Sequence, residues 1–160
     1  MDQLWSPWRY RYVTKAGSEP GCVFCAKAQS GDDRAGLILY RGTHCFVILN
    51  LYPYTTGHLM VVPYSHVSTM EEATDEEAAE MMQLTRAASR YLRSVYRPKG
   101  LNIGMNIGEC AGAGIAEHIH MHVLPRWPGD VNFMTSIGET RVLPEDLDTT
   151  YQRLYEAFHS

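Results

Sequence analysis

The chain has 160 residues, of which 45% are hydrophobic, and a formal net charge of −4. That length suits one domain with a core that needs no covalent staples. The acidic balance excludes a protein built to coat a nucleic-acid backbone, which needs a basic surface, but it does not exclude a nucleotide pocket.

The first 20 residues form an arm, followed by a core over 21–125 and a tail with a helix over 126–160. Within the arm, residues 4–12 mix Trp5, Trp8, Tyr10 and Tyr12 with Arg9 and Arg11. Such a mixture stacks on nucleic acid in some proteins; the simpler reading is an arm that docks its rings on the core or on a second subunit. It has no apolar stretch of the kind a secretory leader carries, and no segment nears the ~20 apolar residues of a membrane span. A reducing, cytoplasmic compartment is therefore expected, with the four cysteines as thiols or metal ligands.

Cys22 and Cys25 lie in a tight Cys-x-x-Cys segment with zinc-ligand spacing. A redox pair and an unmetallated loop are the rivals, and Cys45 and Cys110 read as packing residues. Residues 37–41 and 44–50 are strand candidates split by Gly42 and Thr43, which suggests a hairpin. After a turn at 53–57, residues 58–62 make a third strand ended by Pro63. Thr74 and Glu77 have capping-box spacing. The helix they open runs to about Tyr96, with Met81, Leu84, Ala88, Tyr91, Leu92 and Val95 as its buried stripe, before Pro98 and Gly100 end it. A fourth strand spans 101–107, and a loop of small residues follows at 110–114. Leu147, Tyr151, Leu154, Tyr155 and Phe158 mark a C-terminal helix. Short strands with one long inserted helix indicate an α+β fold with an antiparallel sheet of about five strands.

The fifth strand, 118–124, carries His118, His120 and His122 in alternation and is closed by Pro125. Alternate strand residues share a face, so the three imidazoles line up while Ile119, Met121 and Val123 face a core. One metal shared by all three is opposed by reach, since the outer two backbones lie about 13 Å apart at about 3.3 Å per residue. Catalysis uses the whole row: an imidazole is a good nucleophile near neutral pH, and its neighbours can hold its tautomer and exchange protons.

The run Gly112-Ala113-Gly114-Ile115-Ala116-Glu117-His118-Ile119-His120-Met121-His122-Val123 resembles the signature of the histidine-triad (HIT) family. Asn50-Leu51-Tyr52-Pro53, Gly57-His58-Leu59 and residues 102–108 resemble its flanking segments. The 5–9 arm and the 125–134 tail resemble the microbial branch that includes diadenosine-tetraphosphate phosphorylases and hydrolases. The resemblance implies a HIT-like fold and cleavage at the α-phosphate of a dinucleoside polyphosphate or nucleotide conjugate. It also implies a homodimer or higher homo-oligomer. Phosphoramidase action on nucleotide–amine conjugates is an alternative, as is a nucleotide-binding regulator with little turnover. In the implied division of labour His120 attacks phosphorus to form a nucleotidyl-histidine. His122 and His58 orient the phosphate, with His118 beside the nucleophile. Asn50 contacts ribose and Asn106 faces the phosphate. The N–H groups of Gly112, Ala113, Gly114 and Ile115 offer further donors. Gly114 and Ile115 stand where the family usually has a Gln or hydroxyl donor. Zinc-binding relatives imply a structural Zn2+ on Cys22, Cys25, His66 and His118, with no metal needed for the chemistry.

Overall fold

The computed structural model describes residues 21–132, 135 and 143–160. The N-terminal arm, and Phe133 and Met134 of the tail, lie outside the described residues.

Five strands form one sheet: β1 (Ile38–Arg41), β2 (Cys45–Leu49), β3 (Leu59–Pro63), β4 (Gly100–Gly104) and β5 (Met121–Arg126). Their order is β1-β2-β3-β5-β4, and every neighbouring pair is antiparallel. The helices are α1 (Val23–Gln29), α2 (Asp33–Gly36), α3 (Asp75–Tyr96) and α4 (Leu147–His159). This is the expected α+β architecture, with the long helix between β3 and β4 and a helix at the C-terminus.

Both faces of the sheet are covered, which is why β2 and β3 are buried at every position. On one face Cys45, Val47, Leu49, Leu59, Val61, Ile119 and Val123 pack against Met81, Leu84, Ala88 and Leu92 of α3 and Tyr151, Leu154 and Phe158 of α4. On the other, Ile38, Phe46, Ile48, Met60 and Val62 pack under Phe24 of α1.

Helix α3 starts at the predicted capping box: the Glu77 N–H donates to the Thr74 hydroxyl and the Thr74 N–H to the Glu77 carboxylate. It ends at Arg97, which adopts a left-handed φ of 47° just before Pro98. One turn on from Glu77, Glu80 accepts the N–H groups of Thr43, His44 and Cys45 at 2.9, 2.5 and 2.6 Å. That carboxylate ties the β1–β2 turn to the helix. Burial raises the Glu80 carboxyl, but the three N–H groups and nearby His44 outweigh it and hold the group below the ordinary carboxylate value.

Several boundaries differ from the sequence reading; β3, for one, runs Leu59–Pro63 and includes the proline expected to end it. The tight segment at Cys22–Cys25 is helical from Val23, where α1 starts. The fourth strand stops at Gly104 rather than 107, since Gly104 pairs with His122 near the start of β5. The ladder of the histidine strand starts at Met121 rather than His118. Beyond the Val61–Met121 pair, Pro63 has no N–H to offer, and its carbonyl is taken by the His118 ring. Finally, Pro125 lies inside β5 and does not end it. At Pro125 the strand pairs only with β4, because its pairing with β3 ends at Val123, so no bond to β3 is lost there.

Candidate active site and metal centre

His58, the residue just before β3, meets His122 of β5 ring to ring, and all four histidines at positions 58, 118, 120 and 122 are buried. The alternation holds even where the ladder does not. Ile119 and Val123 are in the main core, with Met121 packed against it. The three imidazoles lie on the other side.

Their hydrogen bonds determine which ring nitrogens carry protons. The Tyr54 main-chain N–H can only donate, and it points at His58 Nδ1 at 3.1 Å. His58 is thus protonated on Nε2, which donates to His122 Nδ1 at 2.8 Å. His122 in turn keeps its proton on Nε2. His120 is set the other way: its Nδ1–H donates to the His118 carbonyl at 2.8 Å, which leaves the Nε2 lone pair available. The rings of His120 and His122 meet edge to face at 4.8 Å. An imidazole with an available lone pair is therefore packed against one that carries a neutral N–H.

Electrostatics agree with neutral rings. Burial pushes His120 below its usual value. Burial, then repulsion from His120, pushes His122 down to about 4. An imidazole needs its lone pair to attack, and both shifts preserve lone pairs at neutral pH.

Asn50 is buried beside this pair, where its Oδ1 accepts the Tyr52 N–H at 2.9 Å and its Nδ2 points at His58 Nδ1 at 3.4 Å. Asn106 is half-buried just past the end of β4. In the loop before His118, the N–H groups of Gly112 and Ala113 are directed to the carbonyls of Glu109 and Gly108. Ile115 packs against the smaller core cluster. Two aromatic neighbours carried no clear signal in the sequence. Phe24 lies 5.0 Å from His120 and 5.4 Å from His118, and Tyr54 covers His58 and His122. Phe24 falls inside the Cys-x-x-Cys spacing, which is the only hint of its place.

The thiols of Cys22 and Cys25 meet His66 and His118, with one ligand atom from each residue, all within 4.8 Å of one another. His118 Nε2–H donates to the Pro63 carbonyl at 2.9 Å, so its Nδ1 lone pair faces Cys22 Sγ at 3.2 Å and Cys25 Sγ at 3.6 Å. His66 Nδ1 lies 3.5 Å from Cys25 Sγ. With Zn–S near 2.3 Å and Zn–N near 2.0 Å, the edges of a tetrahedral site measure about 3.3–3.8 Å. The donor set fits a Cys2His2 zinc ion, with the separations of 3.2, 3.5 and 3.6 Å near those edges and the rest within 4.8 Å, and the Pro63 carbonyl would supply the outer hydrogen bond that fixes a ligating imidazole.

Residues 34–129 match the HIT domain family model. The chain belongs to the HIT domain family. A protein from Mycobacterium tuberculosis named AP-4-A phosphorylase is 44% identical, over 96% of this chain and 83% of its own length. Among solved HIT structures, a Zn-bound histidine triad family protein from Mycobacterium smegmatis is 29% identical with a TM-score of 0.69. That match covers 87% of this chain and 94% of the neighbour. A hypothetical histidine triad nucleotide-binding protein from Sulfolobus tokodaii is 26% identical with a TM-score of 0.70, covering 86% of this chain and 92% of the neighbour. The fold expected from the triad and its flanking segments is thus the fold of the family. No helix among the described residues is long and apolar enough to cross a membrane.

Proposed function

We propose that this HIT domain cleaves dinucleoside polyphosphates of the diadenosine-tetraphosphate type at the α-phosphate through a nucleotidyl intermediate on His120. The observation that carries this reading is the His120 ring itself, with Nδ1–H spent on the His118 carbonyl, which leaves the Nε2 lone pair available, and the His122 ring packed against it at 4.8 Å. His120 Nε2 attacks phosphorus and the polyphosphate leaving group departs. Water or inorganic phosphate then attacks the same phosphorus and releases the nucleotide, restoring the imidazole. His122 Nε2–H donates to a phosphate oxygen, and His58 holds His122 in that tautomer. Such preorganised donors in a dry site favour the charge that develops on phosphorus oxygens. Asn50 and Asn106 flank the ribose and phosphate, with the Gly112–Ile115 loop as the cover of the phosphate. The 44% identity to a protein named as a phosphorylase of this substrate favours the polyphosphate over a nucleotide–amine conjugate.

Zinc on Cys22, Cys25, His66 and His118 is structural in this reading. It would tie α1 to the segment that leads into β5, with all four positions filled by protein and none left for substrate. The chain works as one domain of 160 residues in the cytoplasm, paired into a homodimer. The edge strand β4, exposed at Asn102, Ile103 and Gly104, is the surface that supports pairing.

Product analysis on diadenosine tetraphosphate, with and without inorganic phosphate, tests the reading. Phosphorolysis yields a nucleoside diphosphate and hydrolysis a monophosphate. An adduct trapped under acid-free conditions is expected on His120, and His120→Ala is expected to fold and lose nearly all turnover. Substantial turnover in that variant, or an adduct on another residue, removes the assignment.

A further inference from the structure

The turn between β2 and β3 does more than reverse the chain. It places Tyr54 four residues before His58, and that tyrosine touches the histidine pair twice. Its main-chain N–H reaches His58 Nδ1 at 3.1 Å. Its ring lies 4.7 Å from the His58 ring and 6.2 Å from the His122 ring, nearly parallel to the latter at 19°.

We propose that Tyr54 is a positioning residue for the histidine site, its ring shielding the His58–His122 hydrogen bond so that the proton arrangement set by the main-chain N–H groups of the turn persists. The inference rests on reading His122 as the neutral donor to phosphate.

The physical argument starts from ambiguity. Two facing imidazoles joined through Nε2 and Nδ1 can hold their shared proton on either ring, and the two states offer opposite groups to a ligand. One state leaves a donor on His122 Nε2, and the other leaves a lone pair there. A phosphate oxygen accepts only from the donor. The Tyr54 N–H resolves the choice because an amide cannot act as acceptor, and Asn50 Nδ2 presents a second donor to the same nitrogen. The orientation of the Asn50 amide is itself set by the Tyr52 N–H, which requires Oδ1 on its side. Three groups of one turn, at positions 50, 52 and 54, therefore impose a single proton arrangement.

The ring adds a different element. A water molecule reaching the His58–His122 bond would supply both a donor and an acceptor, and would let His122 exchange its proton between nitrogens. A tyrosine ring packed at a 48° tilt against His58 and lying nearly parallel to His122 narrows that route and costs little side-chain entropy to hold. The shielding uses the ring alone, so phenylalanine should serve as well.

The test uses the full-length protein labelled with 15N-histidine and long-range 1H–15N correlation, in which each imidazole tautomer has its own pattern; His122→Gln assigns the signal. The wild type is expected to show His122 as a single Nε2–H form without substrate. Tyr54→Ala, which keeps the main-chain N–H and removes only the ring, is expected to let His122 exchange its proton towards an average and to lower kcat at least tenfold with little change in KM. Tyr54→Phe is expected to restore both. Thermal melts of each variant separate this from loss of fold. A folded Tyr54→Ala protein that keeps the single His122 form and its kcat overturns the proposal, as does a Tyr54→Phe that fails like the alanine. If the wild type holds the single tautomer that Tyr54→Ala loses, yet turns over no diadenosine tetraphosphate, the positioning role stands and the proposed substrate falls.

Discussion

Replacing His122 with glutamine should change how the protein responds to acid, by an amount that follows from its surroundings. His122 is only 9% exposed. Burial, reinforced by His120, takes it from the usual 6.5 to about 4. An unfolded chain restores the ordinary value, so between pH 6.5 and 4 the unfolded state binds more protons than the folded one. Stability contributed by the neutral ring is thus complete above about pH 6.5 and drains away as pH falls towards 4. At about 1.4 kcal/mol for each pH unit of difference, the loss across that window is about 3 kcal/mol. The His58 Nε2–H acts in the same direction, because it already occupies His122 Nδ1 and a second proton there would face it. Urea unfolding at pH 7.5, 6.5, 5.5 and 4.5 measures the effect. Carboxylates titrate in both proteins, so the quantity of interest is the wild-type free energy minus that of His122→Gln. It should fall by about 2–3 kcal/mol from pH 7.5 to 4.5. A difference that stays flat across that range refutes the picture of a buried neutral donor.

Other perturbations probe the scaffold and the metal centre. Glu80→Ala leaves the buried Cys45 N–H without its acceptor, and should cost about 2 kcal/mol in urea at pH 7. Because the carboxyl lies below its ordinary value, this penalty should shrink as pH drops through the carboxylate range, and an unchanged gap at pH 3 would contradict the assignment. Gly57 has φ of +78°, and a Cβ there would lie 3.1 Å from Leu92 and 3.2 Å from Tyr96. Gly57→Ala should therefore lose about 1–3 kcal/mol and lower the melting temperature; an unshifted melt would mean that the turn relaxes freely. Cys25→Ser should abolish zinc binding by elemental analysis of the purified protein, where the wild type carries about one ion per chain. Equal zinc in both would exclude the four-ligand centre.

Much of the fold was legible because its elements carry local signals. The capping box at Thr74 and Glu77 and the stripe from Met81 to Leu92 specify α3 without reference to the rest of the chain. The histidine alternation was also readable, since the two-residue period needs only extended backbone, and it persists through His118 and His120 although they precede the ladder. What escaped depends on partners distant in sequence. The end of the β3–β5 pairing is set by Pro63, 55 residues before His118 in the bond they share. Pro125 resembles a strand terminator until one knows that β3 is no longer beside it. Helix α1 is a seven-residue segment whose only buried residue is Phe24, so it offers no stripe to count. In the candidate site, residue types could be read but proton positions could not. Those follow from the Tyr54 N–H and the His118 carbonyl, main-chain groups that every residue possesses.

The early end of the β5 ladder is thus more than a boundary. In a continuous sheet every backbone carbonyl is claimed by a neighbouring strand, and side chains can only bond across the surface. At the fringe some of those acceptors remain unclaimed, rigid and directional. His118 shows what such a fringe offers. Its carbonyl serves one imidazole while its own ring faces two thiols, so one residue conveys order to two assemblies through separate bonds. A protein designer wishing to borrow the histidine row would have to copy the place where pairing stops together with the row itself.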